Sequence, residues 1–240
     1  MEDIYKNDFE KFISHTDEKQ ILLDEILKEV EEYDTKSLLD IGAGNGLLSI
    51  PLSRKAKSYL AVESNEKFVS KLRKAGLEVI EGKFPLEISG LFDMVLASHS
   101  ISYRNDLFKS FIKKAWGLVK PNKVLLAITY RGEEDDWTKL MKEFGENHED
   151  QNRVVFNQMV ELLASLGAVK TRKFITKVQT KNLDDMVQAL SFVASNGELK
   201  KKAEFLKQSK KLEKILKQNY RDSNGYLFPF QHFLLTTQKL

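Results

Sequence analysis

The sequence predicts an α/β fold, a mostly parallel sheet with helices on both faces. Three observations predict it. Short apolar runs recur at 37–41, 59–63, 78–81, 92–97 and 124–130, with amphipathic stretches between them. Strand alternating with helix at that spacing is the pattern of a parallel sheet covered on both sides. The first run passes directly into three alternating glycines, Gly42, Gly44 and Gly46, which let a backbone turn sharply out of a strand with no Cβ in the way. The chain has 240 residues, only four prolines and no repeat or low-complexity tract, so it reads as one continuous fold. A chain of this length buries roughly 70–75% of its unfolded surface.

The elements follow in order. The N-terminus reads as helices at 4–13 and 17–33, the second with Ile21, Leu22, Ile26, Leu27 and Val30 on one face. Strand 37–41 leads through the glycine turn into an amphipathic segment at 47–56. Strand 59–63 ends in Glu63 and precedes a helix at 65–75; 78–81 is a short third strand. Strand 92–97 leads through a loop to a helix at 106–118, and the turn Lys120-Pro121-Asn122-Lys123 introduces strand 124–130. Helices follow at 134–145 and 152–166, the latter stopped by Gly167, then strand 169–180 and helix 183–195. Residues 198–219 read as one lysine-rich amphipathic helix with Leu199, Ala203, Leu206, Leu212 and Leu216 inward, before a last strand at 230–237. The expectation is one domain, 1–240. It comprises an N-terminal helical cap (1–35), a ligand-binding core (36–130) and a C-terminal part (131–240) with a helical insertion at about 181–225.

Composition removes several classes of function. Without cysteine there are no disulfides, thiolate metal sites or cysteine nucleophiles, and no metal site is expected. No apolar run approaches eighteen residues and the start is charged, so no membrane span or signal peptide is expected and residence is expected to be cytoplasmic. A net charge of +3 is small for this length and gives no reason to expect nucleic acid.

The glycine turn holds a small molecule, and its spacing bears on which one. A dinucleotide turn wants a small residue five positions after its first glycine, where it packs helix on strand. Here that position is Leu47. The run Asp40-Ile41-Gly42-Ala43-Gly44-Asn45-Gly46 instead resembles motif I, D-x-G-x-G-x-G, of the class I S-adenosylmethionine (SAM) methyltransferases. An acid at the turn suits a ligand with a sulfonium and an ammonium and would repel a pyrophosphate. The resemblance implies a Rossmann-like seven-stranded sheet whose last strand is antiparallel. It also implies SAM as cofactor and S-adenosylhomocysteine (SAH) as product.

It further implies cofactor contacts at Asp40, Gly42, Ala43, Gly44, Gly46, Glu63, Ser64, Gly82, Lys83, Phe84 and Ser98. Glu63, at the end of the second strand, can accept ribose hydroxyl hydrogen bonds, or it is a solvent-facing loop acid. After the third strand many members carry Gly-Asp, whose acid accepts from the adenine amino group. Here the run is Glu81-Gly82-Lys83-Phe84-Pro85, and lysine cannot accept that bond. Adenine recognition then falls to backbone groups, to Glu81 or to packing on Phe84. The fourth strand and its loop, Phe92 to Tyr103, resemble motif IV, whose carboxyl end faces the methyl group. Ser98, His99 and Tyr103 are therefore the candidates nearest the reaction, His99 and Tyr103 as catalytic residues. His99 either moves or positions a proton, or packs under the cofactor.

A further resemblance is to the histamine N-methyltransferases, over Tyr5–Gln20, Ser98–Asp106, Trp137–Gly145 and the closing Leu227-Phe228. It implies substrate contacts at Glu18, His99, Tyr103 and Trp137. Glu18 matches the amine-binding glutamate of that family, while His99 and Pro229 replace a glutamine and an asparagine. Glu18 also reads as a first-turn acid after Thr16, and Trp137 as plain core. The function expected is methyl transfer to a small molecule, at nitrogen. The alternatives are an RNA or protein methyltransferase docking through lysines 200–217, which otherwise form a solvated face, and a non-catalytic SAM-binding protein.

Overall fold

The computed structural model describes residues 2–101, 107–130, 135–145, 149–195 and 199–240. The elements run α1 (Glu2–Ser14), α2 (Glu18–Glu32), β1 (Ser37–Ile41), α3 (Ser49–Ser53), β2 (Ser58–Glu63), α4 (Glu66–Lys74) and β3 (Glu78–Glu81). Next come β4 (Phe92–Ser98), α5 (Leu107–Gly117), β5 (Val119–Thr129), α6 (Asp136–Glu143), α7 (Glu149–Leu166) and β6 (Ala168–Thr180). The chain closes with α8 (Leu183–Ser195), α9 (Leu199–Leu206), α10 (Ser209–Asn219), β7 (Arg221–Asp222) and β8 (Gly225–Gln238). The sheet order is β3-β2-β1-β4-β5-β8-β6, with the short β7 on β8. Strands β3, β2, β1, β4 and β5 pair in parallel and β8 joins β5 antiparallel, as the sequence predicts.

Two compact units are distinguishable. One comprises Leu22–Glu133, His148–Phe174 and His232–Leu240; the other Met1–Ile21, Glu134–Asn147 and Ile175–Gln231. In the first, successive side chains of a strand point to opposite faces, so an unbroken apolar run feeds two cores. Leu39, Ile41, Val95, Ala97, Leu125 and Ala127 join one cluster, covered by Phe108 and Ile112 of α5 and Phe156, Met159 and Leu163 of α7. Their neighbours Leu38, Met94, Leu96, Val124, Leu126 and Ile128 join the other, covered by Leu22, Ile26 and Val30 of α2 and Leu52 of α3. Among the described residues the second unit has one buried cluster, rich in aromatic rings, including Phe12, Phe205, Tyr226, Phe228 and Phe230.

Four expectations are corrected. The amphipathic segment 47–56 shortens to α3, which contains Pro51, a residue with no N–H to donate. The turn predicted at 120–123 lies inside β5, whose register against β4 jumps between Phe92↔Val119 and Met94↔Val124. There Asn122 takes φ 62 and its N–H donates to Lys239 O at 2.7 Å. The lysine-rich helix divides into α9 and α10, where the Gln208 N–H reaches back to Phe205 O; Phe205 is buried and Ala203 exposed. The last strand starts at Gly225, not 230, as the return arm of a tight hairpin from β7. Asp222 caps that turn, its Oδ1 accepting from Asn224 N–H at 2.7 Å.

Candidate functional site

The strand-end acids brace the glycine turn from inside the protein. Asp40, 3% exposed, accepts hydrogen bonds on Oδ2 from Ser49 Oγ at 2.7 Å and from the Tyr59 hydroxyl. Burial, and then the neighbouring Asp40 charge, hold the Tyr59 phenol well above its ordinary value, so it stays a donor. Glu63, 8% exposed, accepts from Gly44 N–H at 2.7 Å on one oxygen. On the other it accepts from Ser64 N–H at 2.8 Å and Asn65 N–H at 2.7 Å. Asn65 in turn caps α4, its Oδ1 accepting from the N–H groups of Lys67 and Phe68.

The three glycines have different work. Gly42 sits at φ +82, and a Cβ there would stand 2.5 Å from the Ser100 Cβ, so only glycine lets the turn lie against the loop after β4. At Gly46 a Cβ would press on Ile50 and Leu72 at 3.0 Å. Gly44, at φ +60, has nothing within 4 Å of that position, and it is the turn's open face.

A cleft of about 580 Å³ opens beside this turn. Its walls are Ile41 and Gly42, Val62 and Ser64, Gly82 to Pro85, Ser98 to Ser100, and Leu107, Ser110 and Phe111 of α5. It thus lies outside the carboxyl ends of β1, β2 and β4, where the strand order reverses between β1 and β4 and parallel sheets bind their ligands. The hydroxyls of Ser98 and Ser100 are buried with no hydrogen-bond partner among the described residues. A buried polar atom in a cleft wall is under-satisfied until a ligand or water reaches it. His99 takes φ 53, with its N–H on Ile128 O at 2.9 Å. Its ring stacks on Tyr130 at 4.5 Å and meets the edge of the fully buried His232 at 5.2 Å; His232 stacks in turn on Phe174.

Seven of the predicted site residues therefore share one cleft: Gly42, Ser64, Gly82, Lys83, Phe84, Ser98 and His99. Asp40, Ala43, Gly44, Gly46 and Glu63 are absent from its walls, and Asp40 and Glu63 hydrogen-bond within the protein behind them. Tyr103 lies outside the described residues. Glu18 and Trp137 belong to the aromatic-rich unit. There Glu18 is buried, its backbone N–H on Thr16 Oγ1 and its carboxylate on Lys19 Nζ at 2.7 Å. Trp137 packs on Phe230 at 5.4 Å and edge-on to Phe228 at 6.2 Å. The walls missed from sequence are Ser100 and the first turns of α5, together with His232 behind His99. Ser100 follows Ser98 in the predicted motif, but His232 carries no local signal because only the pairing of β8 with β5 brings it there.

A family model described as ribosomal RNA adenine dimethylase matches residues 6–84, about a third of the chain, including the glycine turn and Glu63. No curated protein matches the chain in sequence. Among solved structures, the YcgJ protein of Bacillus subtilis aligns with a TM-score of 0.56 and 13% identity, covering 85% of this chain and 92% of that one. The precorrin-6y C5,15-methyltransferase of Geobacter metallireducens aligns with a TM-score of 0.53 and 14% identity, covering 92% and 88%. The N-methyltransferase NodS of Bradyrhizobium japonicum, in complex with SAH, aligns at 0.52 and 10% identity, covering 92% and 86%. These likenesses show the fold, the mostly parallel Rossmann-like sheet of the methyltransferases. None of them confirms the finer resemblance to the histamine N-methyltransferases.

Proposed function

We propose that this chain, a class I SAM-dependent methyltransferase by fold and by the family match over its glycine turn, methylates a small molecule at nitrogen. One observation supports it above the others: the hydroxyls of Ser98 and Ser100, without a hydrogen-bond partner among the described residues, and the His99 ring share one cleft with the glycine turn. SAM, when bound, supplies a methyl group on a cationic sulfur already activated for in-line displacement. The chain's own part is therefore to hold, align and exclude water. Gly42 brings the turn's backbone to the cleft that takes the cofactor, and Ser98 and Ser100 offer hydroxyls. Glu63 fixes the turn through the Gly44 N–H and keeps room for a ribose hydroxyl, since a carboxylate accepts about four hydrogen bonds. At the far side His99 can take the proton that a nitrogen acceptor releases.

Replacing Glu63 with Ala should weaken SAH binding by about 1.5–3 kcal/mol, read by calorimetry. Unchanged affinity would remove Glu63 from the site. Calorimetry with SAM, SAH and NAD tests the cofactor itself. Transfer of labelled methyl from SAM to a panel of small amines tests the acceptor class, and transfer to none of them would sink the small-molecule reading.

A second reading is RNA methylation. The family match favours it, as do Lys207, Lys210 and Lys214, which are exposed and in no ion pair among the described residues. It predicts methyl transfer to RNA and binding that weakens steeply with salt.

A further inference from the structure

The aromatic-rich unit holds a cleft of its own, of about 480 Å³, which shares no residue with the one beside the glycine turn. One wall is the turn from β6 into α8, Lys181 to Leu183; the other is the β7–β8 hairpin, Arg221 to Tyr226. The hairpin is pressed against the turn at Gly225, where a Cβ would stand 2.9 Å from the Lys181 Cα. Hydrogen bonds inside each wall fix its backbone. Thr180 Oγ1 donates to Asn182 O at 2.7 Å, and Asn182 Oδ1 accepts from the Asp185 N–H at 2.9 Å at the start of α8. In the hairpin Asp222 Oδ1 accepts from the Asn224 N–H at 2.7 Å.

Each wall contributes a cation, Lys181 and Arg221, and neither side chain is in a hydrogen bond or ion pair among the described residues. A single surface cation is ordinary, but two lining one concave site concentrate positive potential in it. The carboxylate in the lining, Asp222, is committed through one oxygen to its own turn. Asp185 of α8 lies outside the lining, held by Lys11 at 2.8 Å and by Asn182 Nδ2 at 2.7 Å. Ammonium and guanidinium groups only donate hydrogen bonds, so one ligand group serves both walls if it carries negative charge and several acceptors. A phosphate ester offers three terminal oxygens, two for the guanidinium fork and one for the ammonium. We propose that this cleft binds a phosphate group, with Arg221 and Lys181 taking it from opposite walls. Its volume, within the range of small-ligand pockets, suits a phosphate monoester. This site is independent of the cofactor reading of the other cleft.

The test is titration of the full chain with inorganic phosphate, with glycerol phosphate and with a single-stranded RNA oligonucleotide without terminal phosphates. It is followed by amide NMR at constant ionic strength. Inorganic phosphate and glycerol phosphate are expected to give saturable shifts at Lys181–Leu183 and Arg221–Tyr226. Arg221→Gln and Lys181→Gln should each weaken binding about tenfold. Asp222→Asn, which keeps the turn's acceptor and removes a negative charge, should tighten it about threefold. Thermal unfolding of each variant checks that the fold is kept. Tighter binding of the oligonucleotide than of glycerol phosphate, lost in Arg221→Gln, upholds the phosphate site and makes a nucleic-acid strand its source. Shifts that never saturate, or affinities unchanged in both Gln variants, overturn the site, as does an Asp222→Asn chain that binds no tighter.

Discussion

In the unit that holds the glycine turn, alternate aliphatic residues of three parallel strands divide between two clusters, one on each face of the sheet. In the other unit a single cluster is filled by rings in contact, Phe228 against Tyr220 at 4.6 Å, Phe230 at 5.2 Å and Trp137 at 6.2 Å. The first kind of core is specified by a two-residue period that many aliphatic side chains satisfy. The second depends on a few large side chains of defined shape, each carrying more of the buried area. Geometry matters in the first unit chiefly where the backbone turns, at Gly42 and Gly46, and where a charge is buried.

The sharpest way to break the comparison is Phe228→Ala. Phe228 is fully buried, and its loss should cost about 3–5 kcal/mol in urea unfolding, as for other large core truncations. A cost below about 1 kcal/mol would show that the aromatic cluster repacks as freely as an aliphatic one. Next is the glycine turn. Gly42→Ala meets both the left-handed backbone and the Ser100 Cβ, so a loss of about 2–4 kcal/mol is expected. Gly44→Ala meets the backbone term alone, about 1–2 kcal/mol. Equal losses at the two positions would remove the close approach of Ser100 from the explanation.

A comparable effect, dependent on pH, is expected at Asp93, which ties the start of β1 to β4. Its Oδ2 accepts from the N–H groups of Lys36 and Ser37, both at 2.8 Å, and its Oδ1 from Lys120 Nζ at 3.1 Å. Burial works to raise its pKa, but the bond from Lys120 and those from the backbone prevail and hold it below the ordinary 3.8. The stability it contributes is therefore present above about pH 3.8 and lost as pH falls through its lower folded value. Asp93→Asn should cost about 1–3 kcal/mol at neutral pH and flatten the acid limb of the stability profile. An acid limb identical to the wild type would exclude Asp93 as a source of that loss.

How much was legible depended on how local the cause was. Strands β1 to β4 fall within about a residue of their expected limits, because each is a short apolar run closed by a turn. The start of β5 was not legible: Lys120 to Lys123 carry turn residues, and only pairing with β4 and the bond from Asn122 to Lys239 draw them into the strand. The hairpin of β7 and β8 did carry a signal, Asp222-Ser223-Asn224-Gly225. Gly225 is confined there because a Cβ would stand 2.2 Å from Thr180 O. Of the cleft walls, Gly42, Ser64, Gly82 to Phe84, Ser98 and His99 are residues that the family resemblance implies, whereas Ser100 and Phe111 are not.

The sequence by itself determined the parallel core and the glycine turn, since hydrophobic period and glycine spacing are local properties of the backbone. It also identified the two strand-end acids but not their direction. Tertiary structure decided that Asp40 and Glu63 turn inward, because buried backbone N–H groups and the Tyr59 hydroxyl need acceptors there. It likewise decided which residues complete the cleft and support it, since Phe111 reaches the cleft, and His232 reaches His99, only when distant strands and helices pack together.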